Sequence, residues 1–517
     1  MLVDGVLVNP IALRCALIAN FAESFITVAV LALCLASEVL GRANVVGYYP
    51  NWVTMPTLSL AKYTHVNFAF AIPASDGSFA YDGQDSMPGL VSDLHSAGTK
   101  ALVSIGGWTG SNLFSTILKN TTSRTALLNN IVAYIKTYNL DGVDIDWEYP
   151  GREGDNCNVY DPDNDTNNFL SFLQDLRTQL DSTYGVRDKL LSLAVRVQPF
   201  DGPNGPIDDV SAFAKVVDYI NLMTYDIAGT WNPTTSPNSP LQYAPGQGPQ
   251  FSVSSAIDAW EDAGWPTGQM NLGIPFYGYA LKALQDMSKD PSDMYVPISS
   301  TAPQGDMDDT PYADPCAGGP AVYSGEWQWK HLRDQGLLSS PNTAVAPWIR
   351  TWDTTTSTPW LFNPKTNIFI TYDDPQSIQL KISYAASKGL AGTMVWSMEM
   401  DYSDELLNVL QSFRGGGNST ATQTTSTQTT ATQITTAVTT AITIITLVPQ
   451  TTTATGGTGP VAGNVCPAEG SYQCASSNGT NASYFLCLYG KWMSLSCGSG
   501  TVCSQSGSSI SCGWPSS

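Results

Sequence analysis

Residues 141–150 read Asp141-Gly142-Val143-Asp144-Ile145-Asp146-Trp147-Glu148-Tyr149-Pro150. Val143, Ile145 and Trp147 alternate with Asp144, Asp146 and Glu148. Successive side chains of a strand point to opposite faces, so the three acids share one face and the three apolar residues the other. Neighbouring acids on that face stand roughly 6–7 Å apart along the strand. Three like charges that close do not all ionise comfortably, and at least one stays protonated near neutral pH. A carboxylic acid kept neutral is what a general acid needs. The competing reading is a metal site or a solvated acidic loop, since hard cations take carboxylate oxygens. The apolar alternation favours a buried strand, and EF-hand spacing with its glycine and terminal glutamate is absent.

Outward from this stretch, residues 44–414 alternate apolar strand-like runs with amphipathic helical patterns. The strands expected are Val45–Tyr49, His65–Phe70, Ala101–Ile105, Val143–Trp147, Leu190–Val197, Tyr219–Thr224, Asn271–Phe276 and Thr393–Trp396. Near-continuous apolar character suits a parallel sheet covered on both faces. Helices are expected at Arg124–Tyr138 with Ser123 as N-cap, at Asn168–Leu180 and at Pro375–Lys388. Eight strand–helix repeats predict an α/β protein, a (β/α)8 TIM barrel. A doubly wound open sheet would need a glycine-rich nucleotide turn after its first strand, and Gly47-Tyr48-Tyr49-Pro50-Asn51-Trp52 is not one. Residues 42–414 exceed the roughly 250 residues of a barrel. The surplus, about 279–371, predicts a small α+β insertion between the seventh and eighth strands.

The chain has 517 residues, 13% of them charged, and a formal net charge of −21. That balance excludes nucleic acid, whose phosphates would be repelled, and anionic membrane surfaces; a neutral polysaccharide is an acceptable partner. The apolar run Ile26–Leu35, closing on small residues, reads as a secretory leader over 1–36 and is too short to span a bilayer. A secreted, extracellular or wall-associated monomer is expected. Cys157 and Cys316 are the two cysteines of the central region and could pair. Cys466, Cys474, Cys487, Cys497, Cys503 and Cys512 crowd the tail and read as a disulfide framework of open connectivity. Sequons at Asn120, Asn164, Asn418, Asn478 and Asn481 fit the same compartment. Residues 415–463 form a Thr/Ser-dominated linker that cannot bury a core.

Chemistry in a barrel sits where the strands end. There the sequence places Tyr48 and Tyr49, Phe68 and Phe70, Ser104 to Trp108, Met223 to Asp226, and Trp396. Aromatic residues recurring beside a carboxylate row read as a sugar cleft, since flat rings stack on the apolar faces of pyranoses.

The stretch 141–148 resembles the D-x-x-D-x-D-x-E signature of glycoside hydrolase family 18, the chitinases. Ser104-Ile105-Gly106-Gly107-Trp108, Met223-Thr224-Tyr225-Asp226 and the segment around Trp396 match further motifs of that family. The resemblance implies a retaining, substrate-assisted glycosidase acting on chitin and chitooligosaccharides. Glu148 is then the general acid and base, Asp146 and Asp144 its supporting carboxylates, and Tyr225 the donor to the substrate acetamide. Tyr48, Phe70, Ser104, Gly107, Trp108, Tyr149, Met223, Asp226 and Trp396 are the expected substrate-site residues, with Tyr48, Ser104 and Asp226 either supporting the acids from behind or touching the neighbouring sugar. Asp141 lies off the carboxylate face and is expected to hold the strand start. No metal or organic cofactor is implied. The subgroup with this insertion carries Gly-Arg-Ala-Phe after the seventh strand, whereas this chain has Gly278-Tyr279-Ala280-Leu281. Residues 464–517 resemble carbohydrate-binding module family 19, with Tyr484 and Trp492 as ligand candidates; the alternative is a disulfide-stapled cap whose rings only fill a thin core. The other functions open are an endo-β-N-acetylglucosaminidase acting on N-glycans, a non-catalytic chitin-binding lectin and a structural wall protein.

Overall fold

The computed structural model describes residues 43–56, 59–314, 316 and 318–414, with short stretches at 2–3, 6–7, 472–475, 483–488, 491–496, 502–506 and 509–513. Seven parallel strands come first: β1 (Asn44–Pro50), β2 (His65–Pro73), β3 (Lys100–Gly106), β4 (Gly142–Asp146), β5 (Leu190–Val195), β6 (Tyr219–Leu222) and β7 (Met270–Pro275). An antiparallel sheet follows, made of β8 (Tyr277–Lys282), β9 (Glu326–Gln328), β10 (Ile349–Asp353), β11 (Thr358–Asn363) and β12 (Ile368–Thr371). Then β13 (Gly392–Trp396) pairs in parallel with both β7 and β1, and β1 pairs with β2, which closes an eight-stranded barrel. All eight strands lie where the apolar runs predict them. The inserted sheet starts at Tyr277, two residues before the expected boundary, because Tyr277 already pairs with Gln328 of β9.

Helices α1 (Met87–Ser96), α2 (Thr121–Tyr138), α3 (Asp165–Tyr184) and α4 (Val253–Asp262) cover the barrel between its strands. The short α5 (Trp329–Asp334) belongs to the insertion, and α6 (Pro375–Lys388) and α7 (Glu405–Arg414) flank β13. Two helix starts differ from expectation. The cap of α2 is Asn120, whose Oδ1 accepts the N–H groups of Thr122 and Ser123. Ser123 is already helical and cannot cap the turn that contains it. The α3 helix begins at Asp165 and runs to Tyr184, longer at both ends than its apolar face suggests. On α2 the face Leu127, Ile131 and Ile135 is buried, as its spacing requires.

Inside the barrel the register sets Ser104 of β3, Asp144 of β4 and Ser192 of β5 side by side. Val143 and Ile145 point outward into the fully buried layer under the helices. Asp141, at the other end of β4, accepts from the backbone N–H of Ala101 at 2.8 Å and faces His95 Nε2 at 2.8 Å. It therefore ties strand starts together, away from the carboxylate row. Cys157 and Cys316 are disulfide-bonded, joining the loop after β4 to the insertion.

The leader expected over 1–36 lies outside the described residues, apart from the paired strands Leu2–Val3 and Val6–Leu7. The Thr/Ser linker lies outside them too. In the tail Cys474 pairs with Cys503. Cys466 and Cys497 lie outside the described residues, as do the side chains of Cys487, Cys512 and Tyr484. Trp492 is 8% exposed and packs edge-on against Phe485 at 6.5 Å, a position inside the unit rather than on an open face. No helix among the described residues is long and apolar enough to cross a membrane.

Candidate active site

The site grows from β4. Asp144 is fully buried and accepts four hydrogen bonds. Tyr48 Oη and Ser104 Oγ donate to its Oδ2, each at 2.7 Å. Ser192 Oγ donates to its Oδ1 at 2.6 Å and Asn221 Nδ2 at 3.4 Å. Burial raises its pKa and these donors pull it back, because each favours the charged form. Asn221 in turn accepts from Asn271, and Asn271 from Asn44, so a polar ladder crosses the barrel interior.

One turn of the pleat higher stands Asp146, 3% exposed. Burial, with the charges of Glu148 and Asp144 added, raises its pKa well above the usual carboxylate range. Its Oδ1 is buried and has no hydrogen-bond partner.

Glu148 lies just past the strand end. Its N–H donates to Ser111 Oγ at 2.8 Å and its carbonyl accepts from Asn158 Nδ2 at 2.7 Å. Ser111 Oγ also donates to the Gly107 carbonyl at 2.8 Å. Burial pushes the Glu148 pKa up to about 7; Asp226 and Asp155 add to the rise and a hydrogen bond from Tyr149 opposes it. The alternating acids of the sequence therefore become one held ionisable group, one strained carboxyl and one carboxyl poised near neutrality.

Asp146 and Glu148 open into a cleft of about 590 Å³. Its lining includes Tyr48, Phe70, Trp108, Met223, Tyr225, Asp226 and Trp396 of the expected residues. Phe70 stacks on Trp396 at 5.5 Å and 14°. Gly107 makes room for that stack: at φ +79° it lies so close to Phe70 that a Cβ would sit 2.7 Å from the ring. Trp108 is 48% exposed at the rim. Tyr225 is buried with its hydroxyl 3.7 Å from Met394 Sδ. Asp226 takes φ +53°, a left-handed conformation that aspartate tolerates better than most residues, and its N–H donates to Asn238 at 2.8 Å.

Three expected site residues stand elsewhere. Ser104 lies beneath the cleft floor on Asp144, Gly107 supports Phe70, and Tyr149 turns to the far side of Glu148, against Arg152. None of them lines the cleft.

Sequence reading missed other members. Trp52, 64% exposed, stands 6.3 Å from Trp396; its signal was a tryptophan two residues past a strand end. Ser192 and Asn221 were legible as lone polar residues inside apolar strands. Tyr277, Tyr279 and Glu326 also line the cleft and come from the inserted sheet. Tyr279 stood out in the sequence only as the departure from Gly-Arg-Ala-Phe, and no local pattern announces Tyr277 or Glu326.

The profile of glycosyl hydrolases family 18 matches residues 44–401. A chitinase-like effector of Moniliophthora roreri is 36% identical, over 73% of this chain and 94% of its own. Chitinase A1 of Niallia circulans is 28% identical, over 73% of this chain and 59% of its own. A solved chitinase of Rhizomucor miehei superposes with a TM-score of 0.67 at 35% identity, covering 72% of this chain and all of that one. The barrel, the carboxylate row and these matches together place the chain in glycosyl hydrolases family 18.

Proposed function

We propose that this chain is a secreted chitinase that hydrolyses β-1,4-linked N-acetylglucosamine polymers with retention of configuration. The observation that carries the reading is Glu148, held by its own backbone at the barrel mouth with a pKa near 7. A carboxyl so poised can give a proton and take one back near neutrality.

Glu148 gives its proton to the glycosidic oxygen as the bond from C1 to that oxygen breaks. The acetamide oxygen of the same sugar forms the new bond to C1, and the ring that results carries one positive charge. Asp146 stands by that charge, and its unpartnered Oδ1 accepts the acetamide N–H. Tyr225 donates to the acetamide oxygen and aligns it. Four donors favour the charged form of Asp144 against its burial, and its charge adds to the rise of the Asp146 pKa. Water then attacks C1, its proton passes to Glu148, and the acetamide is released unchanged with a β-anomer.

The Cys157–Cys316 bond supports an oxidising, extracellular setting. Residues 464–517 we read as a chitin-binding tether acting through the linker; deleting 415–517 should weaken adsorption to insoluble chitin and spare hydrolysis of short soluble oligomers. The Moniliophthora roreri relative is named a chitinase-like effector, and beside the chitinase reading we keep a second one, a protein that binds chitooligosaccharides without cleaving them.

Hydrolysis of a soluble chitin oligosaccharide by the wild type and by Glu148→Gln, with the product anomer followed by NMR, separates the two. Cleavage by the wild type alone, giving the β-anomer first, supports the enzyme. Binding without cleavage by either supports the second reading.

A further inference from the structure

Five carboxylates line the cleft, Asp82, Asp146, Glu148, Asp226 and Glu326, and no lysine, arginine or histidine is among its lining residues. Two of the five meet in a corner built by the insertion. Tyr279 of β8 pairs directly with Glu326 of β9, and directly paired side chains share one face roughly 5 Å apart. The hydroxyls of Tyr277 and Tyr279 both donate to Asp226 Oδ1 at 2.7 Å. Among the described residues nothing donates to Asp226 Oδ2 or to the Glu326 carboxylate, and neither residue forms an ion pair.

The resembled subgroup has arginine where this chain has Tyr279. A tyrosine supplies one hydrogen bond and no charge. One half-satisfied carboxyl, Asp226, and one without a donor, Glu326, therefore face the cleft with no cation between them. Burial and the negative neighbours Asp306, Asp226, Glu399 and Asp309 push Glu326 up to about 8, so the corner holds a proton near neutral pH that an amine, as a base, can take up. Asp146 Oδ1 is likewise buried in the same cleft without a partner.

We propose that the corner walled by Asp226, Tyr279 and Glu326 receives a glucosamine residue, so that partly deacetylated chitin is preferred over the fully acetylated polymer. The proposal rests on the chitin reading above. An ammonium group offers three donors and one positive charge to acceptors that the protein leaves open. An acetamide is not basic enough to take the Glu326 proton, so it offers one donor and a methyl group and forms no ion pair there. The sugar at the cut itself keeps its acetyl group, since its oxygen is the nucleophile.

The experiment is digestion of a chitosan of mixed acetylation at neutral pH, with the products sequenced around each cut. The expected result is glucosamine enriched about tenfold at one fixed distance from the cut. Glu326→Gln keeps the shape and removes the group that exchanges a proton with the amine, and Tyr279→Arg supplies the missing cation; both should abolish the enrichment. A statistical distribution of glucosamine at every position, or enrichment that survives both variants, overturns the proposal. Calorimetry of the intact chain with fully acetylated and singly deacetylated hexamers reads the same preference without turnover. If nothing is cleaved, the chitinase reading fails, yet tighter binding of the deacetylated hexamer, lost in Glu326→Gln, still supports the corner; equal affinities overturn it. Thermal melts of each variant serve as the control for folding.

Discussion

Asn158 Nδ2 donates to the main-chain carbonyl of Glu148 at 2.7 Å. The residue before Asn158 is Cys157, whose disulfide reaches Cys316 in the insertion. The backbone of the acid is thus held from a loop that is itself fastened to another part of the barrel mouth. Asn158→Ala should lower kcat about tenfold with KM changed less than about threefold, because small displacements of a reacting group are costly. Steady-state kinetics on a soluble chitooligosaccharide, beside thermal melts, checks this. A drop in melting temperature with kcat intact would make the contact structural only.

The pH dependence should follow Glu148. The acid acts in its protonated form, so kcat/KM should fall as pH rises through about 7. Asp226 raises that pKa through its negative charge. Asp226→Asn should therefore move the alkaline limb to lower pH, whatever it does to the maximum rate. A limb that stays in place, or moves up, removes Glu148 as the titrating group.

Stability gives an independent reading of the same group. The folded-state pKa of Glu148, about 7, lies above its ordinary 4.5, so the folded chain binds this proton more tightly than the unfolded chain. The contribution is complete below the unfolded value and is lost as pH rises through the folded one. Glutamine does not titrate. Glu148→Gln should thus be more stable than the wild type above about pH 7, by up to about 3 kcal/mol, and gain nothing near about pH 4. Denaturant titrations at the two pH values measure it; a gain that is equal at both would point to packing instead of charge.

Trp52 tests the cleft wall without disturbing the core. It is 64% exposed and borders both Phe70 and Trp396. Trp52→Ala should raise KM about tenfold for a chitooligosaccharide, through lost stacking, and shift the melting temperature little. An unchanged KM would show that the ring does not meet substrate.

Particular residues show where sequence reading succeeds. Val45, Val46, Val103, Ile105, Val143, Ile145, Leu272 and Ile274 are all fully buried, and such apolar runs identify strands covered on both sides. The carboxylate row was equally plain, since period two is a local property. Ser104 was harder. Its motif left open whether it supports the acids or touches a sugar, and its hydroxyl is spent on Asp144 beneath the floor. Whether a side chain at a strand end faces substrate or a neighbouring strand depends on register across the sheet, which local sequence does not carry.

By itself the sequence determined the alternation of strands and helices, the order of acids on β4 and the presence of an insertion, because each follows from side-chain periodicity and chain length. Only the tertiary structure decided how protonation is shared among those acids. That depends on burial and on donors remote in sequence: Ser192 and Asn221 on Asp144, Asp226 and Asp155 near Glu148. It also decided that Tyr279 and Glu326 meet at the cleft wall, since strand pairing brings together residues 47 positions apart in the chain. Electric fields and hydrogen bonds act through space, and distance in space is fixed only once the barrel has closed.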